Sequence, residues 1–232
     1  MDYEPQQLQG EPERRGLEIF GFPLRIDPFF FFTAWIIGGR QDLQWMLVWI
    51  AVVFAGVLAH ELGHAFAGQR LGMQPWIRLT AFGGMTGWLR PRALTARQQI
   101  FVSAAGPAVG IAIGGGVLVL WLSGVLAGAP PQVLRVVEFI VWVNLGWAVL
   151  NLLPILPMDG GHIAASLAEM VAGRNGRVAA RVLSIVLTVL IGLWALATMQ
   201  LWILILCALF TYVNVQALRA EAAARGSSGP LE

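Results

Sequence analysis

Six runs of about 20 mostly apolar residues dominate this sequence, and each could form a helix that crosses the roughly 30 Å hydrocarbon core of a bilayer. They lie near residues 22–39, 44–70, 98–127, 133–153, 178–199 and 201–218. The first is interrupted by two prolines, Arg25 and Asp27, so we expect it to be only partly helical. Only Met199 to Leu201 separates the last two runs, which predicts a very tight turn.

The composition also indicates a membrane protein. Hydrophobic residues make up 57% of the chain and charged residues 12%, with a mean hydropathy of +0.70. A soluble domain is about one-quarter charged. The net charge is +2, but all 15 basic residues are arginines and most flank apolar runs, where positive charge sets membrane orientation. We therefore expect a multi-pass protein with the lipid bilayer as a partner and no nucleic acid, and the sequence leaves the oligomeric state open.

The arginines also predict an orientation, because cytoplasmic loops are enriched in positive charge. If the N-terminus is inside, six spans leave only Arg40 and Arg135 on the outer side. The cytoplasmic side then receives Arg14, Arg15, Arg25, Arg78, Arg90, Arg92, Arg97, Arg174, Arg177, Arg181, Arg219 and Arg225. Both termini and the C-terminal end of span two are thus expected to face the cytoplasm. Abundant Arg and Ala without Lys indicate a GC-rich prokaryotic genome, and hence the cell membrane.

The expected fold class is an all-α polytopic membrane protein with about six transmembrane helices. Residues 1–21 would form a polar cytoplasmic segment, residues 22–219 the transmembrane domain, and residues 220–232 a tail that is partly expression-derived. Between spans two and three, residues 73–90 alternate polar and apolar side chains before Gly83 and Gly84. This pattern predicts a short strand and hairpin.

The run "AGVLAHELGHAFAGQ" places His60, Glu61 and His64 inside the second apolar span. Ionisable groups at membrane depth are costly and usually functional. Residues four apart lie one turn above each other on a helix, so the two imidazoles can bind one metal ion. Glu61 is placed to accept a proton from a water on that ion, as in the H-E-x-x-H metallopeptidases. The pattern predicts a single catalytic Zn²⁺.

A catalytic zinc requires a third protein ligand, and we assign Asp159. It follows Pro154 and Pro157, which break the helix after span four, and it precedes two glycines. His162 is the rival ligand, although its position at the start of the next helix favours a supporting role. Asp159 could also be an ordinary helix-capping residue.

The pair "HELGH" and "NLLPILPMDGG" resembles the two motifs of the site-2 protease family of intramembrane zinc metalloproteases, and the likeness extends over residues 26–168. The resemblance implies cleavage of membrane-anchored proteins within or near their transmembrane segment, so single-span membrane proteins are the expected substrates. It also implies that His60, His64 and Asp159 are the zinc ligands and Glu61 the catalytic base. Asn151 matches an asparagine of the second motif that is thought to help hold substrate.

The strand around Gly83 and Gly84 could pair with an extended substrate segment, as in strand addition to a sheet edge.

Two other classes of function compete with the protease. A transporter or proton pathway could use buried His, Glu and Asp, but the sequence offers no further ionisable groups to continue a path across the membrane. A catalytically idle relative would bind membrane partners, and the intact ligand set argues against it.

Overall fold

The computed structural model describes residues 17–90 and 92–226, and the chain divides into two compact units, residues 1–150 and 151–232. The first unit contains β1 (Leu17–Ile19), β2 (Phe22–Ile26), α1 (Pro28–Ile37), α2 (Leu43–Arg70), β3 (Pro75–Thr80), β4 (Gly83–Trp88), α3 (Ala96–Leu122) and α4 (Pro131–Asn151). The second unit starts at the last residue of α4 and contains α5 (Asp159–Ala197) and α6 (Leu201–Gly226).

The expected class, a mainly helical multi-pass membrane protein, is confirmed. Five of the described helices, α2 to α6, are long and apolar enough to cross a membrane. The count of about six differs by one because α1 has only 10 residues. A helix of that length measures about 15 Å, half of a bilayer core.

The predicted first span is a strand followed by a helix. Asp27 ends the strand and caps α1, because its carboxylate accepts a hydrogen bond from the backbone N–H of Phe29. The segment runs antiparallel to α2. At one end, the ring of Phe22 contacts the ring of Phe66, and further along, the Trp49 indole donates to the carbonyl of Ala34. Trp49 and Phe66 are 17 residues apart on α2, about 26 Å along the helix, so strand and helix together cover most of a membrane-crossing length.

The strands form one sheet in the order β1-β2-β3-β4. The hairpin predicted between spans two and three is confirmed as the antiparallel pair β3 and β4. The sequence reading missed β1 and β2. They form an antiparallel hairpin whose turn residues, Phe20 and Gly21, both have positive φ, and β2 pairs in parallel with β3. The apolar face of the sheet, including Phe22, Ile77 and Leu79, packs in one core with Val57 and Ala65 of α2.

Small residues allow close approach of α2, α3 and α4. A methyl group on Gly63 of α2 would lie 2.7 Å from the carbonyl oxygen of Ala105 in α3. On α3, methyl groups at Gly110 and Gly114 would crowd Asn144 and its neighbour on α4. In the sequence, Gly106, Gly110 and Gly114 recur every four residues, which predicts close helix packing, and this is confirmed at Gly110 and Gly114.

In the second unit, α5 and α6 form a helical hairpin with a tight turn. The turn at Thr198 to Gln200 matches the expectation, and Met199 adopts a positive φ of 57°. Helix α5 begins well before the predicted boundary at 178, and at Gly173 its backbone leaves the helical conformation. Helix α6 continues to Gly226, past the predicted start of the tail at residue 220. Residues 1–16 and 227–232 of the two predicted terminal segments lie outside the described residues.

Candidate active site

The two histidines of the HELGH motif lie together in the interior of the first unit. His60 is 3% exposed and His64 is 7% exposed. Their Nε2 atoms are 3.1 Å apart. Two nitrogens bound to one tetrahedral zinc at 2.0–2.1 Å are about 3.3 Å apart. The backbone of α2 thus holds both imidazoles at a spacing that fits a shared ion.

The ring of His64 is oriented by α3. Its Nδ1 lies 2.8 Å from the backbone oxygen of Val102. That oxygen can only accept, so Nδ1 of His64 carries the proton and donates, and the lone pair of this ring is on Nε2, the atom near His60. A second nitrogen fixed by a backbone carbonyl is the usual arrangement of a metal-binding histidine.

Gly106 of α3 leaves room for both rings. A methyl group there would overlap Nε2 of His64 and lie 2.7 Å from Nε2 of His60. The sequence reading assigned this glycine to helix packing. Its role is more specific, because it borders the nitrogen atoms that would bind the metal.

Glu61 is 4% exposed and faces the hairpin. The hydroxyl of Thr86 on β4 lies 2.7 Å from Oε2 of Glu61 and 3.1 Å from its backbone oxygen. A methyl group on Gly84 would overlap the Glu61 carboxylate. Gly84 and Thr86 share one face of the strand, since side chains alternate along a strand. This face of β4 therefore covers the candidate base.

Gly83 has a different environment. Its φ of +116° is a conformation that L side chains rarely adopt, and a methyl group would lie 2.8 Å from the Trp147 ring. Within the described strands, β4 is the last in the sheet order and pairs only with β3. The two glycines thus lie on an edge strand, but only Gly84 borders the carboxylate of Glu61.

In the second unit, the proline motif forms the connection between α4 and α5. Asn151 is the last residue of α4, and Asp159 is the first residue of α5, so the helix break predicted from Pro154 and Pro157 is confirmed. Asp159 is half-buried. His162 lies in the first turn of α5, where its backbone N–H donates to the carbonyl of Met158.

The two glycines after Asp159 are explained by close backbone packing. A methyl group on Gly160 would overlap the carbonyls of Leu152 and Leu153, and one on Gly161 would overlap the backbone of Ile155. The connecting loop is folded directly onto the first turn of α5. The two glycines of "DGG" therefore allow the loop to pack closely against the first turn of α5, immediately beside Asp159, the proposed ligand.

Thr86 and Gly106 were missed by the sequence reading. Thr86 could have been found from the strand alternation, which places it on the same face as Gly84. Gly106 carried no signal that separates it from Gly110 and Gly114, because all three follow the same four-residue spacing.

Comparison with known proteins gives a consistent result. Residues 124–195 match the model of Peptidase family M50. A putative zinc metalloprotease of Synechocystis sp. is 30% identical over 174 residues, which are 68% of this chain and 45% of that protein. The putative zinc metalloprotease Rip3 of Mycobacterium tuberculosis is 36% identical over 145 residues, 57% of this chain and 36% of that protein. The chain thus spans less than half the length of these two relatives.

A likeness also appears in solved structures. The site-2 protease from Methanocaldococcus jannaschii superimposes with a TM-score of 0.59 at 22% identity, covering 86% of this chain and 92% of that one. This likeness concerns the fold. The matching family model and the matching sequences show that the chain belongs to peptidase family M50, the site-2 protease family.

Proposed function

We propose that the chain is an intramembrane zinc metalloendopeptidase that cleaves membrane-anchored proteins within or near their transmembrane segment. The observation that carries this proposal is the buried pair His60 and His64, whose Nε2 atoms are 3.1 Å apart on a helix long enough to span a membrane. Glu61 lies between them in sequence and is equally buried. The cited relatives are named putative zinc metalloproteases, and these names support the choice of metal and reaction.

We propose that His60, His64 and Asp159 hold one Zn²⁺. Each offers one ligand atom, an imidazole nitrogen or a carboxylate oxygen. Three protein ligands leave a fourth position open, as catalytic zinc sites require. When bound, zinc supplies a Lewis acid that lowers the pKa of water toward about 7 and polarises the scissile carbonyl. In this proposal, His162 supports the first turn of α5 and is not a ligand.

Glu61 is the proposed general base. It removes a proton from the attacking water as the new C–O bond forms at the peptide carbonyl. It then delivers that proton to the leaving nitrogen as the C–N bond breaks, so that the products are a carboxylic acid and an amine. The hydroxyl of Thr86 donates to the carboxylate and keeps it in place without removing its charge.

Substrate is proposed to bind as an extended strand along β4. A peptide bond inside a transmembrane helix is shielded by its own hydrogen bonds, so the helix must unwind before hydrolysis. An edge strand can replace those hydrogen bonds. Gly83 and Gly84 offer backbone without side chains on this strand, and Asn151 is proposed to hold substrate because of its place in the family motif.

The cell membrane is the proposed location, with both termini and the active-site opening on the cytoplasmic side. The arginine distribution supports this orientation. Five helices of spanning length among the described residues, and a strand-helix segment beside α2, are compatible with six crossings. The proposed substrates are single-span membrane proteins, and no role for nucleic acid is proposed.

The decisive experiment compares the wild-type protein with Glu61→Gln and His60→Ala in metal analysis and in cleavage of a tethered single-span substrate. The wild-type protein should contain zinc and cleave. Glu61→Gln should keep zinc and lose cleavage, whereas His60→Ala should lose both. Cleavage by Glu61→Gln at the wild-type rate would refute the assigned base, and a transporter would show no cleavage in any of the three proteins.

A further inference from the structure

The loop that leads to Asp159 is held by two distant side chains of the second unit. The backbone N–H of Leu156 donates to Oγ of Ser184 on α5 over 3.0 Å. The backbone oxygen of Leu156 accepts from Nδ2 of Asn214 on α6 over 2.7 Å. The backbone N–H and the backbone oxygen of Leu156 are therefore both hydrogen-bonded to side chains, which lie 28 and 58 positions away in the sequence.

These contacts are fully enclosed. Ser184 and Asn214 are each 0% exposed, and Leu156 is 7% exposed. A buried backbone group without a partner is unfavourable, and few alternatives exist in this loop. Pro157 has no N–H, and the neighbouring turn bonds join Ile155 to Leu153 and Met158 to Ile155. Leu156 depends on the two helices for its hydrogen bonds.

The orientation of Asn214 follows from its neighbours. Its Nδ2 lies near two carbonyl oxygens, that of Leu156 and, at 2.8 Å, that of Phe210. Only the amide nitrogen can donate to both. Ser184 is fixed in a similar way, because its hydroxyl donates to the carbonyl of Ala180 and leaves a lone pair for the Leu156 N–H.

We propose that Ser184 and Asn214 are positioning residues for the metal site, because they fix the loop that sets the place of Asp159. The inference rests on the proposed function, in which Asp159 is the third zinc ligand. Leu156 precedes Asp159 by three residues. Turn hydrogen bonds from Met158 to Ile155 and from His162 to Met158 connect the loop around Leu156 to the first turn of α5. If the two hydrogen bonds to Leu156 are lost, the loop and the Asp159 carboxylate can shift together.

The same helix pair supplies a matched control. Thr188 and Thr211 join α5 to α6 through a hydroxyl contact of 2.8 Å. The Thr188 hydroxyl otherwise lies within hydrogen-bond distance of the backbone oxygens of Ser184 and Ile185 on its own helix. Thr211→Val keeps the shape of the side chain and removes only this contact. The effect of Thr211→Val therefore reports on the packing of α5 against α6 and not on the loop.

The experiment measures zinc release to a chelator, kcat and KM for the wild-type protein and for Ser184→Ala, Ser184→Thr, Asn214→Leu and Thr211→Val. Removing a group that orients a metal ligand typically costs about 10- to 100-fold in metal affinity or activity. Asn214→Leu should therefore release zinc about 10-fold faster or more and lower kcat, with KM changed by less than about twofold. Ser184→Ala should show the same faster zinc release and lower kcat. Ser184→Thr should lie closer to the wild-type protein, because its hydroxyl remains. Thr211→Val should behave as the wild-type protein does.

The outcomes separate this inference from the proposed function. A wild-type protein that binds no zinc overturns both. A wild-type protein that binds zinc, with Asn214→Leu indistinguishable from Thr211→Val in zinc release and kcat, overturns only the positioning role. If Asn214→Leu does not fold, Ser184→Ala decides, because it removes one acceptor and leaves the amide of Asn214 in place. Zinc release from Ser184→Ala at the wild-type rate would then refute the role.

Discussion

The Thr86 hydroxyl donates a hydrogen bond of 2.7 Å to Oε2 of Glu61, across the contact between the hairpin and the helix of the HELGH motif. A carboxylate on a buried helix is costly unless its charge is stabilised by hydrogen bonds. Thr86 provides one such bond from a strand whose position is fixed by pairing with β3. The hairpin is thus part of the candidate active site.

Replacing Thr86 with Val should lower kcat about 10- to 100-fold, because a hydrogen bond to a charged group contributes about 1.5–3 kcal/mol. Zinc content should be unchanged, since Thr86 contacts Glu61 and not the histidines. Thr86→Ser retains the hydroxyl and should keep most of the activity. Steady-state cleavage with metal analysis of each variant checks this, and a normal kcat for Thr86→Val would show that Glu61 does not need this bond.

Gly84→Ala should abolish cleavage while zinc is retained, because the added methyl group would displace the Glu61 carboxylate. The effect should fall on kcat. If Gly84 acts instead by contacting substrate, KM should rise and kcat should be preserved. Gly115→Ala is the control, since a methyl group at Gly115 meets nothing within 4 Å. Comparing kcat and KM for the three proteins separates the two roles.

Gly106→Ala should weaken zinc binding by about 10-fold or more, an effect of the size seen when metal ligands are disturbed. The methyl group would press on Nε2 of both His60 and His64. Gly115→Ala, on the same helix, should bind zinc as the wild type does. Competition with a chromogenic chelator measures the affinity, and equal affinities for the two variants would contradict the assigned role of Gly106.

Removal of zinc should lower the thermal stability of the detergent-solubilised protein and stop cleavage. Free zinc at 100 times its dissociation constant adds about 2.7 kcal/mol to the free energy of unfolding. The unfolding temperature of Glu61→Gln should rise with zinc as in the wild type. That of His64→Ala should not respond, because one imidazole nitrogen of the pair is lost. A zinc response in His64→Ala would place the ion elsewhere.

The sequence predicted the features that depend on local spacing. The four-residue interval of His60 and His64 specifies one helix face, and the alternation before Gly83 specifies a strand. Pro154 and Pro157 lie three residues apart and together disfavour continuation of the helix. These parts of the fold and of the candidate site could be read without coordinates.

Features that depend on contacts distant in sequence could not be predicted. The parallel pairing of Leu24 with Ile77 leaves no mark in either segment, so the first span was read as a partial helix. The contact between Asn214 and Leu156 is equally remote. A buried asparagine in an apolar helix has many possible partners. Its partner is defined only when the helix and the loop are packed.

The parallel pairing of β2 with β3 constrains the order in which the sheet can form. Main-chain amides cannot stay unpaired in hydrocarbon, and those of β2 pair with β3, which emerges from the ribosome about fifty residues later. Strand β2 cannot complete its pairing until α2 and the following hairpin have been translated. The sheet is therefore completed only after the helix that carries His60, Glu61 and His64 has been made.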